Sequence, residues 1–272
     1  MFKDNNKSKT LGAFLKSRRN RLQPEQAGFN RSYGQRRTPG LRREEVATLA
    51  GVSATYYTWL EQGREITASK DIIENIAKAL QLTPDERKHL LHLWNPNETT
   101  ANASSPILLN PQWHNIIQQL SYPSFISNDR CEVLAWNNAA NELIIDFSSL
   151  ADSERVMIRI LFVDPELRLR MVNWEEFAMY SVAVFRTYYD KHLDDPWFAE
   201  TVKALSEESL EFASMWELYN IEHKKVNRVL FQLPDTAIAT TYDINSTSIL
   251  TDNSDLHVCI YTPVLEEDNS LS

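Results

Sequence analysis

Leu41-Arg-Arg-Glu-Glu-Val-Ala-Thr-Leu-Ala-Gly-Val-Ser-Ala-Thr-Tyr-Tyr-Thr-Trp-Leu-Glu-Gln-Gly63 reads as two short helices joined by a tight turn. Val46, Leu49 and Ala50 recur at helical spacing, so the first helix has one apolar face. Gly51 breaks it at a position that often needs a left-handed backbone. Ser53 is a good N-cap for the second helix, in which Tyr57 and Leu60, three apart, face inward, and Gly63 ends it. Helix, glycine-containing turn and helix make the unit whose second helix enters the DNA major groove. Spacing alone also fits an ordinary αα-hairpin.

Charge separates the two readings. Residues 1–95 hold 17 Lys and Arg against 10 Asp and Glu, a net of +7, while residues 96–272 hold 11 against 27, a net of −16. The first 43 residues are more extreme, with 12 basic groups against 2 acidic. A basic run by itself is usually a solvated face. A basic run leading into this motif is the electrostatic footprint of phosphate binding, which the whole-chain pI of about 5.2 conceals.

The chain of 272 residues suits two domains, and a hydrophobic content of 43% argues against general disorder. No apolar run approaches the roughly 20 residues of a membrane span. No apolar region follows the polar N-terminus Met1-Phe-Lys-Asp-Asn-Asn-Lys-Ser-Lys, so no secretory signal is visible and a cytoplasmic location is expected. Cys131 and Cys259 are then expected as reduced, buried structural thiols. All six glycines lie within the first 63 residues. The remainder therefore has none for a P-loop, a GxGxxG turn or a GxSxG elbow, which points away from an enzyme. His89 and His92 share a helix face, but no acidic or cysteine partner sits at ligand spacing. They read as surface histidines near a helix C-terminus, and neither a metal nor a cofactor is expected.

Outside the motif, Thr10 to Leu22 reads as a helix whose end is crowded by Arg18, Arg19 and Arg21. Ser69 to Leu80 carries an apolar stripe of Ile72, Ile73, Ile76, Ala77 and Leu80, and Thr83-Pro-Asp-Glu86 starts another helix running to about Trp94. Five helices thus make an all-α domain over 1–95. A polar linker follows at 96–106, then a second domain over 107–265 and an acidic tail at 266–272. The second domain opens with a short helix near Gln112 to Leu120 and strands at Pro123 to Ser127 and Cys131 to Trp136. Helices are expected at Asn137 to Phe147, Pro165 to Lys191 and Pro196 to Asn220, and strands at Val226 to Leu233, Ala237 to Ile244 and Leu256 to Val264. That order is α+β, with helices on one face of an antiparallel sheet and room for a ligand between them.

Arg43-Glu-Glu-Val-Ala47, Gly51-Val-Ser53 and Trp59-Leu-Glu-Gln-Gly-Arg64 resemble the phage-repressor-like, or XRE, helix-turn-helix family. Arg36-Arg-Thr-Pro-Gly-Leu-Arg-Arg-Glu-Glu-Val46, Tyr56 to Arg64 and Leu82-Thr-Pro-Asp-Glu-Arg87 resemble its MmyB-like branch, in which a PAS-like ligand-binding domain follows. Leu134-Ala-Trp-Asn137, Phe162-Val-Asp-Pro165, the helix from Trp174 to Arg186, and Phe212-Ala-Ser-Met-Trp216 are similar to segments of that domain. The branch consists of transcription regulators, and a long-chain fatty acid is implied as ligand for some. The last 50 residues match poorly: the His-Pro and Gly that usually open the closing strands are absent.

The resemblance makes Ser53 to Gln62 the recognition helix. Base contacts are then expected from Ala54, Thr55 and Tyr56, with Trp59 one turn on; the alternative for Tyr56 and Trp59 is packing at the domain surface. Arg43 is placed to reach a base or a phosphate, Arg42 and Arg64 suit phosphates, and Arg36 and Arg37 suit the backbone or the minor groove. In the second domain Met171, Trp174, Ala178, Val182, Phe185 and Tyr189 form a stripe that fits either core or pocket. Arg186 at its rim would snorkel to water or hold a ligand carboxylate. Trp136, Asn137, Phe212 and Trp216 are further ligand-binding candidates, although Asn137 also suits a helix cap. The expectation is a multidomain α and α+β chain: a five-helix DNA-binding domain, then a PAS-like domain with an antiparallel sheet and long helices. It would bind double-stranded DNA as a homodimer, controlled by a small apolar or fatty-acid-like ligand and without membrane contact. The alternative is a second domain that serves as an interaction module with a filled core.

Overall fold

The computed structural model describes residues 2–29, 39–64, 66–95, 109–233, 238–249 and 255–264. The expected linker at 96–106, the acidic tail at 266–272, and Arg36 and Arg37 lie outside the described residues. The chain forms two compact units, one of which holds the N-terminal helices and also Tyr189–Trp197.

The first unit has five helices among its N-terminal residues: α1 (Phe2–Arg21), α2 (Arg43–Ala50), α3 (Ala54–Glu61), α4 (Lys70–Ala79) and α5 (Pro84–Trp94). Local chemistry sets their ends. Gly51 takes φ +68° after α2, and the hydroxyls of Ser53, Ser69 and Thr83 accept the amides of Tyr56, Ile72 and Glu86. Val46 and Ala50 are buried as expected, but Leu49 is 43% exposed and Ala47 takes its place in the core. The apolar face of α2 is therefore rotated by part of a turn from the expected one. The first helix starts eight residues earlier than Thr10, and its polar first half has a packing role. Gly63 lies so close that an added Cβ would stand 2.8 Å from the Lys9 Cα.

Two of the arginines that crowd the end of α1 are interior groups. Arg19 sends two guanidinium nitrogens to the Glu61 carboxylate, at 2.6 and 2.8 Å, and a third to the Leu41 carbonyl at 2.7 Å. Arg18 meets Glu86 at 2.7 Å, and Arg21 meets the same oxygen at 2.5 Å. His89 is not a surface residue: it is 1% exposed, its ring lies edge-on to Phe14, and Nε2 is 3.0 Å from Asp190 Oδ2. Helical spacing could not show that partner, 101 positions away.

The second unit carries α6 (Pro111–Gln118), β1 (Ser124–Asn128), β2 (Val133–Trp136), α7 (Asn138–Leu143), α8 (Met157–Val163), α9 (Pro165–Arg170), α10 (Trp174–Lys191), whose last residues pack with the first unit, α11 (Pro196–Glu208), α12 (Leu210–Glu217), β3 (Asn227–Phe231), β4 (Thr240–Ser248) and β5 (Leu256–Pro263). The five strands form one antiparallel sheet in the order β2-β1-β5-β4-β3. Alternation assigns its faces. Ile126 and Val258 are paired across β1 and β5 and join Ile117 of α6 in one cluster, while their neighbours Phe125 and Cys259 point the other way. The sheet is thus covered on both faces, not on one.

The two long helices expected here are each broken. Residues 171–173 leave the helical path to pair with β3: Val172 donates to the Leu230 carbonyl, and the Asn173 side chain bonds Arg228 and Leu230. Ser209, at φ −138°, separates α11 from α12 and caps the latter.

Replacing Glu61 with Gln should lower the unfolding free energy by about 3–5 kcal/mol, the cost of leaving a buried guanidinium without its counter-charge. Arg43→Gln, whose partly exposed side chain meets the same carboxylate, should cost under about 1 kcal/mol. Urea denaturation of both variants checks the ranking. A pH effect follows from His92. Burial first, then the charges of His89, Lys191, His192 and Lys7, lowers its pKa from 6.5 to about 4. A histidine kept neutral by the fold disfavours the folded state as the unfolded chain takes up a proton. Stability should therefore fall from about pH 6.5 to pH 4, and thermal melts of His92→Gln should show a shallower fall over that window.

Candidate functional site

Ala54 and Thr55 open α3 and are exposed, no acidic residue lies in its first turn, and Ser53 caps its end. The only acid of the helix, Glu61, is turned inward, where burial would raise its pKa but the hydrogen bonds and charges of Arg19 and Arg43 hold it below the usual carboxylate range. The outward end of α3 therefore presents a hydroxyl, a methyl and the positive pole of a helix, with no carboxylate of its own to repel a phosphate. Arg42, at the N-cap of α2, and Arg64, beyond the C-terminal end of α3, are exposed. Arg43 Nε is 2.8 Å from Glu61, so its guanidinium is partly committed to the interior. The Tyr56 hydroxyl donates to the Thr67 carbonyl at 2.9 Å, which ties the ring back to the loop after α3. Trp59 is 38% exposed, with the Arg64 guanidinium 5.7 Å from its ring centre.

The second unit holds a cavity of about 100 Å³ between sheet and helices. Its floor is Phe125 and Ser127 of β1, Ile244 and Ser246 of β4, and Cys259 and Tyr261 of β5. Its roof is Ile158 and Leu161 of α8 with Phe177, Tyr180, Ser181, Val184 and Tyr188 of α10. Lys224, Lys225 and Asn227 close one side, and Cys131 stands in the wall.

None of the eight expected ligand residues lines this cavity. Six of them gather on another side of α10, about 100° around the helix from the cavity stripe. Trp174 lies edge-on to Phe162, which meets Phe212, and Trp216 stacks on Phe212 and approaches Phe185; Val182 is buried on the same helical face. Arg186 does not reach water. It is 4% exposed, donates to the Trp216 carbonyl, and lies 3.5 Å from the Trp216 ring centre and 4.0 Å from that of Tyr219. Trp136 and Asn137 stand apart at the end of β2. Trp136 meets Phe147 and the Arg155 guanidinium. Asn137 Oδ1 accepts the amides of Ser124 and Ala140, and Nδ2 donates to the Leu120 and Tyr122 carbonyls, so the cap reading describes it.

The sequence from 109 to 271 matches the family described as MmyB-like transcription regulator ligand binding domain, and residues 10–90 match a helix-turn-helix domain. The chain belongs to the MmyB-like transcription regulators. It is a DNA-binding regulator with a ligand-binding domain of that family, and no curated protein matches it significantly. No helix among the described residues is long and apolar enough to cross a membrane.

The cavity residues of this MmyB-like regulator had a signal in the sequence. Phe177, Tyr180, Ser181, Val184 and Tyr188 fall at helical spacing, a second stripe on the helix whose first stripe fits either core or pocket. A helix apolar on both sides is buried on both, and spacing does not say which side meets the sheet. Lys224 had no signal, because it lies outside any periodic element.

Burial pushes the Cys131 thiol up to about 12, against the opposing pull of Lys224. At pH 8 such a thiol is almost wholly protonated, and the thiolate is the nucleophile. In a Cys259→Ser variant, where Cys131 is the sole cysteine, reaction with Ellman's reagent at pH 8 should be roughly 50-fold slower than for free cysteine, the low thiolate fraction being partly offset by the greater nucleophilicity of a basic thiolate. Cys259 is buried as expected, whereas Cys131 is half-buried; rapid reaction in the folded protein would contradict the raised pKa.

Proposed function

We propose that this regulator binds a palindromic operator as a homodimer, inserting the N-terminal end of α3 into the major groove, and that a small amphipathic molecule in the cavity of the second unit sets its DNA affinity. The observation that carries the first part is the outward Ala54–Thr55 end of α3, whose only carboxylate is turned inward and neutralised. Ala54 suits a thymine methyl and Thr55 a base edge, while Arg42 and Arg64 suit phosphates. Arg43 takes a mixed role, and the bonded hydroxyl of Tyr56 favours packing over base contact. The XRE-like motif supports two half-sites about one helical turn apart. The cavity supports ligand control over an interaction module with a filled core. The fatty-acid ligand implied by the resemblance shares the chemistry of an apolar body with an acidic head. A ligand acts here only by binding two states of the protein differently.

Selection from random duplex DNA, followed by fluorescence anisotropy, tests the DNA reading. Enriched sequences should be palindromic, and sedimentation should give a dimer on each. Thr55→Ala should weaken binding to the selected duplex by roughly 5- to 100-fold while leaving random-sequence DNA nearly unchanged. Arg64→Ala should weaken both and reduce the salt slope by about 1. Equal loss on both duplexes for Thr55→Ala would remove α3 as the reading helix.

A further inference from the structure

Lys224 lies in the segment between α12 and β3, half-buried and on the cavity wall. Its Nζ is 3.9 Å from Cys259 Sγ and 5.8 Å from the Tyr188 ring centre. Among the described residues no carboxylate pairs with it, whereas its neighbour Lys225 bonds Glu222 at 2.8 Å. An ammonium is strongly hydrated, and one held against apolar walls favours an anion as partner.

A second donor lies close by. The Tyr188 ring stacks on the His257 imidazole, 5.6 Å between centres, and that imidazole is fixed by Asp129 at 2.8 Å. Among the described residues the Tyr188 hydroxyl makes no hydrogen bond. Several other polar groups of the wall are engaged: Ser246 with Cys259 at 3.2 Å, the Ser181 hydroxyl with the Phe177 carbonyl, and the Tyr180 hydroxyl with the backbone of Lys225. One ammonium and one hydroxyl match the two oxygens of a single carboxylate; a dianionic phosphate would ask for more positive charge. The remaining wall, including Phe125, Leu161, Phe177 and Ile244, is apolar. Size restricts the body of the ligand. An engineered apolar cavity of about 150 Å³ holds one benzene ring, so about 100 Å³ excludes a long chain and suits a short branched chain, or a ring that also uses the cavity mouth.

We propose that the cavity takes a compact apolar monocarboxylate, its head group held by Lys224 and Tyr188 and its body between the sheet and α10. This rests on the ligand-sensing reading above and gives that site its chemical class.

Calorimetric titration of the full chain with phenylacetate, 3-methylbutanoate, tetradecanoate and the neutral phenylacetamide tests it. Phenylacetate should bind at least about tenfold more tightly than phenylacetamide. Lys224→Gln should abolish that preference, Lys224→Arg should keep it, and Tyr188→Phe should weaken the acid several-fold with little effect on the amide. The comparison of acid with amide in the unaltered protein stands even where a variant fails to fold. Equal binding of acid and amide, or a preference retained in folded Lys224→Gln, overturns the head-group assignment. Binding of tetradecanoate alone overturns the compact body. Should none of these acids bind while native mass spectrometry of the purified protein gives a stoichiometric adduct, this inference fails and the ligand-sensing reading stands. No acid bound and no adduct removes both.

Discussion

One buried carboxylate organises the DNA-binding unit. Glu61, at the end of α3, receives two bonds from Arg19 of α1 and one from Arg43 of α2. Three helices are thereby fixed about one point, at the place where Gly12 lets α1 approach so closely that an added Cβ would stand 2.5 Å from the Glu61 carbonyl. The fork of Arg19 also takes the Leu41 carbonyl, just before α2 begins. A buried ion pair is weak evidence of net stability, because desolvation offsets most of the attraction. Its geometric consequence is firmer. The bidentate bond fixes the orientation of α3 against α1, and it removes from the exposed side of α3 the one charge that would oppose DNA.

The second unit depends on a helix packed on two sides, with Glu175, Glu176 and Met179 left exposed on the rest of its first half. One side of α10 packs Trp174, Val182 and Phe185 among the helices, and the other sets Phe177, Val184 and Tyr188 against the cavity. The sheet below is equally two-sided, with Ile126 and Val258 in the cluster with α6, and Phe125 and Cys259 toward α10. A cavity between two layers that are each packed from behind has rigid walls, since close-packed interiors respond little to local stress. Shape selection of a small ligand follows more readily from such walls than from a surface groove.

Much of this was legible in the sequence because its determinants are local. The turn at Gly51, the caps at Ser53 and Thr83, and the alternation of the strands depend on residues within a few positions of one another, and each element stands near its expected place. What was not legible depends on distant partners. The bonding of Val172 and Asn173 to β3 breaks a segment that reads as one long helix. His89 is interior because of Asp190, and Arg186 is interior because Trp216 and Tyr219 enclose it. For the candidate pocket the obstacle was symmetry: α10 carries two apolar stripes of similar strength, and the choice between them is made by the sheet. The aromatic stripe with an arginine at its edge fits core or pocket by spacing and is core, whereas the cavity wall reads as an ordinary amphipathic run.

The charge distribution adds a constraint that neither unit expresses alone. Residues 1–95 carry a net of +7 and the remainder −16. Arg18 and Arg19 pair with the interior carboxylates Glu86 and Glu61, so these groups cancel and the net of +7 rests on the remaining side chains. At physiological salt the screening length is about 8 Å, so groups touching DNA attract it at close range while the acidic remainder repels it as salt is lowered. Binding to DNA of arbitrary sequence, which rests on phosphate attraction, is the term that this balance weakens most. The base contacts proposed for α3 are short-range and survive it. With a large acidic region on the same chain, a greater share of the affinity then falls to the fit proposed for α3 on its operator, which is the share that a change of protein geometry alters.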